Sequence, residues 1–323
     1  MATIKDVAKL AGVSISTVSR CINRSGYVGK LSREKIEAAC KQLDFRPMHS
    51  ARTLKTKKSN LIAFVIPTLR NSFFVELAGF IEQECLKHHY KLVLCNSDGN
   101  PRVEESYIEM IEEHHFDGAI IATGSQLHKK MANLPLVLLD RIKEELPEKG
   151  TMITSDHKQG ARQAVEHLIE SGSTRIIHIR PSECALPVSQ RQAGYEEAMK
   201  ENGLDSTVHI FDTLEDLDKI DFQNYDGAFV WNDESAIALL FYLKKKGVSI
   251  PGEMKIVGFD NNLLSKTIYP GLTTIDQPYQ RMASEAVRVL IQTIENGVSE
   301  PRVQVLPTRL IKRETTEVRV SNL

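Results

Sequence analysis

Aspartate and arginine stand side by side at Asp140 and Arg141, directly after the apolar run L-V-L-L. An ionised carboxylate accepts several hydrogen bonds and a guanidinium donates several in a fixed fork, so the two together suit vicinal hydroxyls. Similar positions recur along the chain. Asn71, Thr123, Asn232 with Asp233, and Asp260 each follow a short apolar run, and Arg191 opens a helical stretch in S-Q-R-Q-A-G-Y. Phe73 and Phe74 add apolar faces of the kind that pack against a sugar ring or a base. Singly, each has a quieter explanation: a surface ion pair for Asp140 and Arg141, a helix cap for Asp260, ordinary core for the phenylalanines. Their joint appearance after successive apolar runs favours a ligand site.

The elements that must position these residues are legible from residue 61 onward. L-I-A-F-V-I-P, K-L-V-L-C-N, G-A-I-I-A-T and L-V-L-L-D read as strands, with helical spacing over 73–88 and 104–114 between them. After a helix over 160–171 the pattern restarts. R-I-I-H-I, V-H-I-F, G-A-F-V-W and K-I-V-G-F-D alternate with helices over 190–201 and 235–246. Near-continuous Val/Ile/Leu strands alternating with helices predict parallel sheets covered on both faces, hence two α/β lobes. Ligands of such sheets bind beyond the carboxyl ends of the strands, which is where the polar residues above fall. Lys244-Lys245-Lys246-Gly247 reads as a helix end rather than a basic patch, cations suiting the negative end of the dipole.

Residues 3–23 have a different texture, two short helices around a tight turn. Thr3 is placed to cap the first, with Asp6 three residues on completing a capping box. Ile4, Val7, Ala8 and Ala11 form its apolar face, and Gly12 stops it. Ser14 is placed to cap the second helix, with Val18 and Ile22 inside and Ile15, Ser16, Ser19 and Arg20 outside. A small polar face with one arginine, on a short helix braced by another, suits the major groove of DNA. A third helix over 32–43 closes the module through Ile36, Ala39, Cys40 and Leu43, and Pro47 ends it.

The stretch T-I-K-D-V-A-K-L-A-G-V-S, the S-T-V-S-R helix and the following Gly26-Tyr27-Val28 closely resemble the DNA-binding headpiece of the lactose-repressor family of bacterial transcription regulators. The resemblance implies that Thr3, Ser14, Ile15, Ser16, Thr17, Ser19, Arg20, Asn23 and Tyr27 face DNA. It also turns the basic segment 48–59 into a hinge helix that forms on operator DNA, with Ala51 fitting the pattern and Leu54 wedging into the minor groove. Beyond residue 60 it extends to periplasmic-binding-protein-like regulators, whose chain crosses between lobes three times, the last crossings near Gln277 and Leu306. The implied division is a headpiece over 1–47, a hinge over 48–59 and a core over 60–323. Within that core the N-lobe takes 60–159 and 279–306, the C-lobe 160–278 and 307–323. In sugar-binding relatives the positions of Asn71, Phe73, Phe74, Asp140, Arg141, Arg191, Asn232, Asp260 and Gln277 tend to contact the effector. Two departures stand out. Ser72 replaces the usual proline, which implies a looser loop, and Trp231 replaces a small residue, which implies core packing close to the pocket.

Charge is divided in the same way. Residues 1–60 hold 13 Lys and Arg against 4 Asp and Glu, a balance of +9, and the remainder carries −10. A basic head on an acidic body suits a phosphate-contacting module. The 5 cysteines form no C-x-x-C pair, which predicts free thiols in a reducing cytoplasm. No leader pattern and no apolar run approaching ~18 residues is present, so no membrane span is expected. His88-His89 and His114-His115 lack metal-ligand spacing, and neither metal nor cofactor is expected. Nucleotide-binding glycine patterns, the G-x-S-x-G elbow and H-E-x-x-H are absent, which argues against an enzyme. The function expected is therefore a homodimeric repressor on a palindromic operator, released by a small sugar or sugar phosphate. The rivals are a corepressor-type regulator answering to a purine or a phosphoprotein, and a sugar-binding protein or enzyme with a vestigial headpiece.

Overall fold

The computed structural model describes residues 2–23, 25–45, 58–123, 131, 134–140, 151–182, 185–297 and 302–317. They fall in two compact units, Met1–Ser59 and Asn60–Leu323. Ala51 and Leu54 of the expected hinge, Arg141, and the side chain of Asn23 lie outside the described residues.

The first unit is three helices, α1 (Ile4–Ala11), α2 (Ile15–Asn23) and α3 (Lys30–Gln42). The capping box is present: Asp6 N–H donates to Thr3 Oγ1 at 3.4 Å, and the Thr3 amide donates back to the Asp6 carboxylate at 2.8 Å. Gly12 takes φ 66°, a left-handed conformation that costs a glycine nothing, and so turns the chain into α2. Ser14 Oγ then accepts the Thr17 amide at 3.1 Å, satisfying one of the orphan donors of the helix start. Val7, Ala8, Ala11, Val18, Cys21, Ile36 and Ala39 meet in a small core. The third helix starts at Lys30, two residues before the spacing suggested, because Gly29 rather than a side-chain cap precedes it.

The second unit holds two six-stranded sheets. The first has strand order β11-β5-β4-β3-β1-β2 and is wholly parallel: β1 (Leu61–Ile66), β2 (Lys91–Asn96), β3 (Gly118–Ile121), β4 (Leu136–Leu139), β5 (Thr151–Ser155) and β11 (Arg302–Leu306). The second has order β12-β10-β9-β8-β6-β7. It is built of β6 (Ile176–Arg180), β7 (Thr207–Ile210), β8 (Gly227–Val230), β9 (Lys255–Asp260), β10 (Thr273–Asp276) and β12 (Arg309–Ile311), the last pairing antiparallel at the edge. Between them run α4 (Ser72–Lys87), α5 (Pro101–Glu113), α6 (His157–Glu170), α7 (Leu186–Glu201), α8 (Asp233–Lys245), α9 (Leu263–Thr267) and α10 (Tyr279–Asn296). The central strands are buried along nearly their whole length, as helices on both faces require.

Each sheet has a core on either face. In the first, Phe64, Leu77, Ile81, Val287 and Leu290 join α4 and α10 to one face, while Val65, Ile108, Ile111 and Ile121 join α5 to the other. In the second, Ala161, Leu168, Met199, Phe229 and Phe259 gather α6 and α7, and Leu239, Leu240, Val230 and Ile256 gather α8. The chain leaves the first sheet after β5, returns to it through α10 and β11, and ends in the second with β12. Strands β5, β10, β11 and β12 and helices α9 and α10 had no separate expectation from the sequence. Helix α6 begins at His157, three residues before the expected 160, and that difference proves consequential.

Candidate functional site

The carboxyl ends of the strands bring Asn71, Phe73, Phe74, Asp140, Arg191, Asp260 and Gln277 to one pocket, together with Pro187 and Trp231. Asn71 caps α4, its Oδ1 accepting the Phe73 amide at 2.8 Å, and so places Phe73 and Phe74 in the first helical turn. Phe73 packs edge-on to Phe74 with ring centroids 5.1 Å apart and leans on Tyr279. Asp140 directly follows β4 and Asp260 ends β9, on opposite lobes. Both aspartates have positive φ, 60° and 120°, conformations that cost about 1–3 kcal/mol in a residue with a Cβ. Backbone strain at both pocket carboxylates is a sign that their direction matters more than their ease.

A buried chain of polar groups links them. Asp140 Oδ1 lies 2.7 Å from His157 Nε2, and the far ring nitrogen, Nδ1, faces Arg191 at 3.3 Å from Nε and 3.2 Å from one terminal nitrogen. Guanidinium can only donate, so His157 Nδ1 is the acceptor and Nε2 carries the proton given to Asp140. Arg191 also donates to the Trp231 carbonyl, lies 3.6 Å from Asp260 Oδ1, and stacks 3.6 Å over the Phe259 ring. Gln277 Nε2 closes the chain on Asp260 at 2.6 Å, while Gln277 Oε1 is buried with no partner among the described residues. The free volume left in this pocket is about 10 Å³, so the lining side chains fill it.

The ionisation states follow from these partners. Burial opposes charge on Asp140, but His157 and Arg191 outweigh it and hold the carboxyl at about 2. Burial drives His157 below the usual histidine range, keeping the ring neutral as its hydrogen bonds require. Asp260 is raised well above the usual carboxylate range, chiefly by burial, with Arg191 opposing and Asp233 adding to the rise.

His157 is the pocket-network residue the sequence reading missed. T-M-I-T-S is short and carries three hydroxyl side chains in five residues, so β5 lacks an apolar signature and nothing in the sequence marks His157 as following a strand end in the way Asp140 and Asp260 do. Other expected residues fall elsewhere. Asn232 is buried, but its Oδ1 caps α8 by accepting the Ser235 amide at 2.9 Å, and it does not line the pocket. Asp233 is fully buried, accepting from the Thr274 hydroxyl at 2.5 Å and the Asn262 amide at 2.9 Å. Thr123 is buried at the end of β3, outside the pocket lining. Trp231 lines the pocket, its indole N–H held by Ser235 Oγ at 3.0 Å. The expectation of a looser loop at Ser72 is corrected: its amide donates to Glu234 Oε1 at 2.9 Å, and its hydroxyl bonds the same oxygen.

In the headpiece, Thr3, Ser14, Ile15, Ser16, Arg20 and Tyr27 are exposed, with Thr17 and Ser19 half-buried beside them. Ile15 and Tyr27 are 46% and 92% exposed, unusual for apolar groups with a core close at hand. The Ser14 hydroxyl is linked to those of Ser16 at 2.7 Å and Thr17 at 2.8 Å. Arg20 thus has a small, polar, uncrowded face around it, the shape that a groove admits. No helix of the described residues is long and apolar enough to cross a membrane, and no cluster among them could hold a metal ion.

The two units define a class of protein: a helix-turn-helix DNA-binding module joined to a two-lobed binding core. Residues 3–48 match the bacterial regulatory proteins of the lacI family. Residues 59–224 match the periplasmic binding proteins and sugar binding domain of the LacI family, and 165–316 a periplasmic binding protein-like domain. The chain is 35% identical to the ribose operon repressor of Halalkalibacterium halodurans over 98% of both chains, and 33% identical to the sucrose operon repressor of Streptococcus mutans over 98% of this chain and 99% of that one. Two solved structures are similar. A LacI-type regulator from Alkaliphilus metalliredigens complexed with D-xylulofuranose has 32% identity and a TM-score of 0.73, covering 80% of this chain and 100% of that one. A LacI-family regulator from Enterococcus faecium with bound ribose has 27% identity and a TM-score of 0.71, covering 79% and 98%. The chain belongs to the LacI family of bacterial transcription regulators. It is a DNA-binding regulator and not an enzyme.

Proposed function

We propose that this regulator is a cytoplasmic repressor of a carbohydrate-utilisation operon, bound as a homodimer to a palindromic operator and released by a small neutral sugar of pentose size. The observation that carries the reading is the buried chain Asp140–His157–Arg191–Asp260–Gln277, which runs between the lobes beside Phe73 and Phe74. Carboxyl oxygens, a guanidinium fork and an amide are acceptors and donors that sugar hydroxyls would meet once the lobes part to admit a ligand, and aromatic faces suit the ring's C–H surface. The unpartnered Gln277 Oε1 is an acceptor that a hydroxyl would satisfy.

Charge favours a free sugar over a sugar phosphate. The described pocket lining has one cation, Arg191, already shared among His157, Trp231 and Asp260, and two carboxyl groups that would face a phosphate. The relatives, a ribose and a sucrose operon repressor, and the pentoses bound in the two similar structures support the same class. A ligand bonded to both lobes favours one inter-lobe arrangement, which is differential binding to two states. On the DNA side, Ile15, Ser16 and Arg20 read base edges, and Leu54 of the hinge wedges into the minor groove.

The test is fluorescence anisotropy of a duplex operator, selected from a random pool, with and without ribose. Release by ribose supports the reading. Tightening by the ligand would replace it with a corepressor mechanism, and indifference to every sugar tried would remove the sugar.

A further inference from the structure

The first amides of a helix have no partner within it. Ser72 is the first residue of α4 on one lobe, and Leu263 is the first residue of α9 on the other. Each is satisfied from across the cleft. Ser72 N–H donates to Glu234 Oε1 at 2.9 Å, and Leu263 N–H donates to Glu76 Oε1 at 2.8 Å. Glu234 sits at the start of α8 in the second lobe, and Glu76 in the second turn of α4 in the first. Each lobe therefore supplies the carboxylate that the other's helix start needs. Asn262 ties the two contacts together. Its Oδ1 caps α9 through Ser265 at 3.0 Å, while its Nδ2 reaches Ser72 Oγ at 2.8 Å and Glu234 Oε1 at 3.1 Å.

We propose that Ser72–Glu234 and Leu263–Glu76 form a reciprocal latch that holds the lobes together before any effector binds and so sets how much sugar is needed to release the operator. Both bonds run from an amide to a carboxylate, and Ser72–Glu234 lies at the N-terminus of the 16-residue α4, where a carboxylate is favoured. They span the lobes, so they form or break with the inter-lobe angle. The latch is poised rather than locked, because closing it leaves Glu234 Oε2 buried with no partner among the described residues. None of the latch residues lines the pocket, yet Ser72 lies between Asn71 and Phe73, and Glu234 three residues after Trp231. They act on the ligand through the angle and not by contact. The latch also depends on the departure noted in the sequence: a proline at position 72 would have neither amide hydrogen nor hydroxyl.

That departure supplies the test. Ser72→Pro removes both donors at a helix position where proline is well tolerated. Ser72→Ala removes the hydroxyl alone and guards against a folding defect in the first variant. In the effector-free full chain, hydrogen exchange at the Leu263 amide reports the other half of the latch, nowhere near the substituted residue in sequence. It should be slow in the wild type, somewhat faster in Ser72→Ala and about tenfold faster in Ser72→Pro. Ribose affinity, read from Trp231 fluorescence, should rise in the same order, by about tenfold in Ser72→Pro, because the latched cleft keeps only about 10 Å³ free and must open to admit a sugar. Equal exchange at Leu263 in all three proteins overturns the latch. The affinity arm rests on the sugar reading above, but the exchange arm does not. Faster exchange with no ribose response even in the wild type supports the latch and overturns the choice of sugar.

Discussion

Arg191 has more tasks than any other side chain of the pocket, and its geometry decides how well it can be replaced. A lysine keeps the charge but loses the planar fork that serves His157, the Trp231 carbonyl and Asp260 together. Arg191→Lys should weaken ribose binding at least tenfold, a loss of about 1.4 kcal/mol, while leaving affinity for the operator within about twofold. Equal loss of operator binding would mean that Arg191 supports the fold and not the ligand. His178 offers a test at pH. Burial holds it down at about 3, its Nδ1 bonded to the Phe229 carbonyl at 3.0 Å. The unfolded chain takes up a proton near pH 6.5 that the folded chain refuses, so the stability this ring contributes is lost as pH falls through 6.5 toward 3. Between pH 6.5 and 5 the loss is about 1.6 kcal/mol. Buried Asp233, raised to about 7 by burial, works in the opposite sense, its cost relieved as pH falls. The comparison that isolates the histidine is Tm against pH for wild type and His178→Asn, whose slope below pH 6.5 should be shallower. Identical slopes would show that His178 titrates normally. At this scale the pocket was largely legible, because Asp140, Arg191 and Asp260 each follow a readable motif. His157 was hidden by an unread strand, and Glu76 and Glu234 by the fact that their partners lie on the other lobe.

Elements place these residues, and the tightest placement is that of α7 on α6. A Cβ on Gly194 would come within 2.2 Å of the Lys158 carbonyl oxygen. The R-x-x-G-Y motif thereby acquires a physical reason: the glycine lets α7 approach α6 until Arg191 meets His157, and Tyr195 anchors the helix by donating to the Ile176 carbonyl at 2.8 Å. Gly194→Ala should destabilise the core by about 1–3 kcal/mol through overpacking, seen as a lower urea midpoint, and weaken ribose binding as well. An unchanged midpoint would mean that the helices part without cost. Long apolar strands and the 73–88 helix could be read from periodicity within a residue or two. Helix starts were less visible. Asn100, Asp156 and Asn232 are the caps of α5, α6 and α8, and each precedes the first apolar residue by several positions. The amphipathic α10 carries its own signal, Met282, Ala283, Ala286, Val287 and Leu290 at helical spacing, whereas its place against α4 and the first sheet is set by the crossing of the chain and not by local pattern.

For the whole molecule, the charge division separates the tasks: a basic headpiece suits phosphates, and an acidic core suits the neutral sugar proposed above. Affinity for operator should therefore fall steeply with salt, while ribose affinity should not. The two-lobed architecture was legible because the strand and helix alternation restarts after residue 160, but the contacts that set the inter-lobe angle have no sequence pattern of their own. Thermodynamic linkage joins the two activities: whatever factor ribose takes from operator affinity, operator must take from ribose affinity. The most direct test is to measure ribose binding, by the fluorescence of the single Trp231, in the free full-length protein and in its complex with saturating operator duplex. The account predicts weaker ribose binding in the complex, by the same factor found for operator release, with Arg191→Lys at least tenfold weaker than wild type in both. Ribose binding of equal or greater strength on the operator would contradict it.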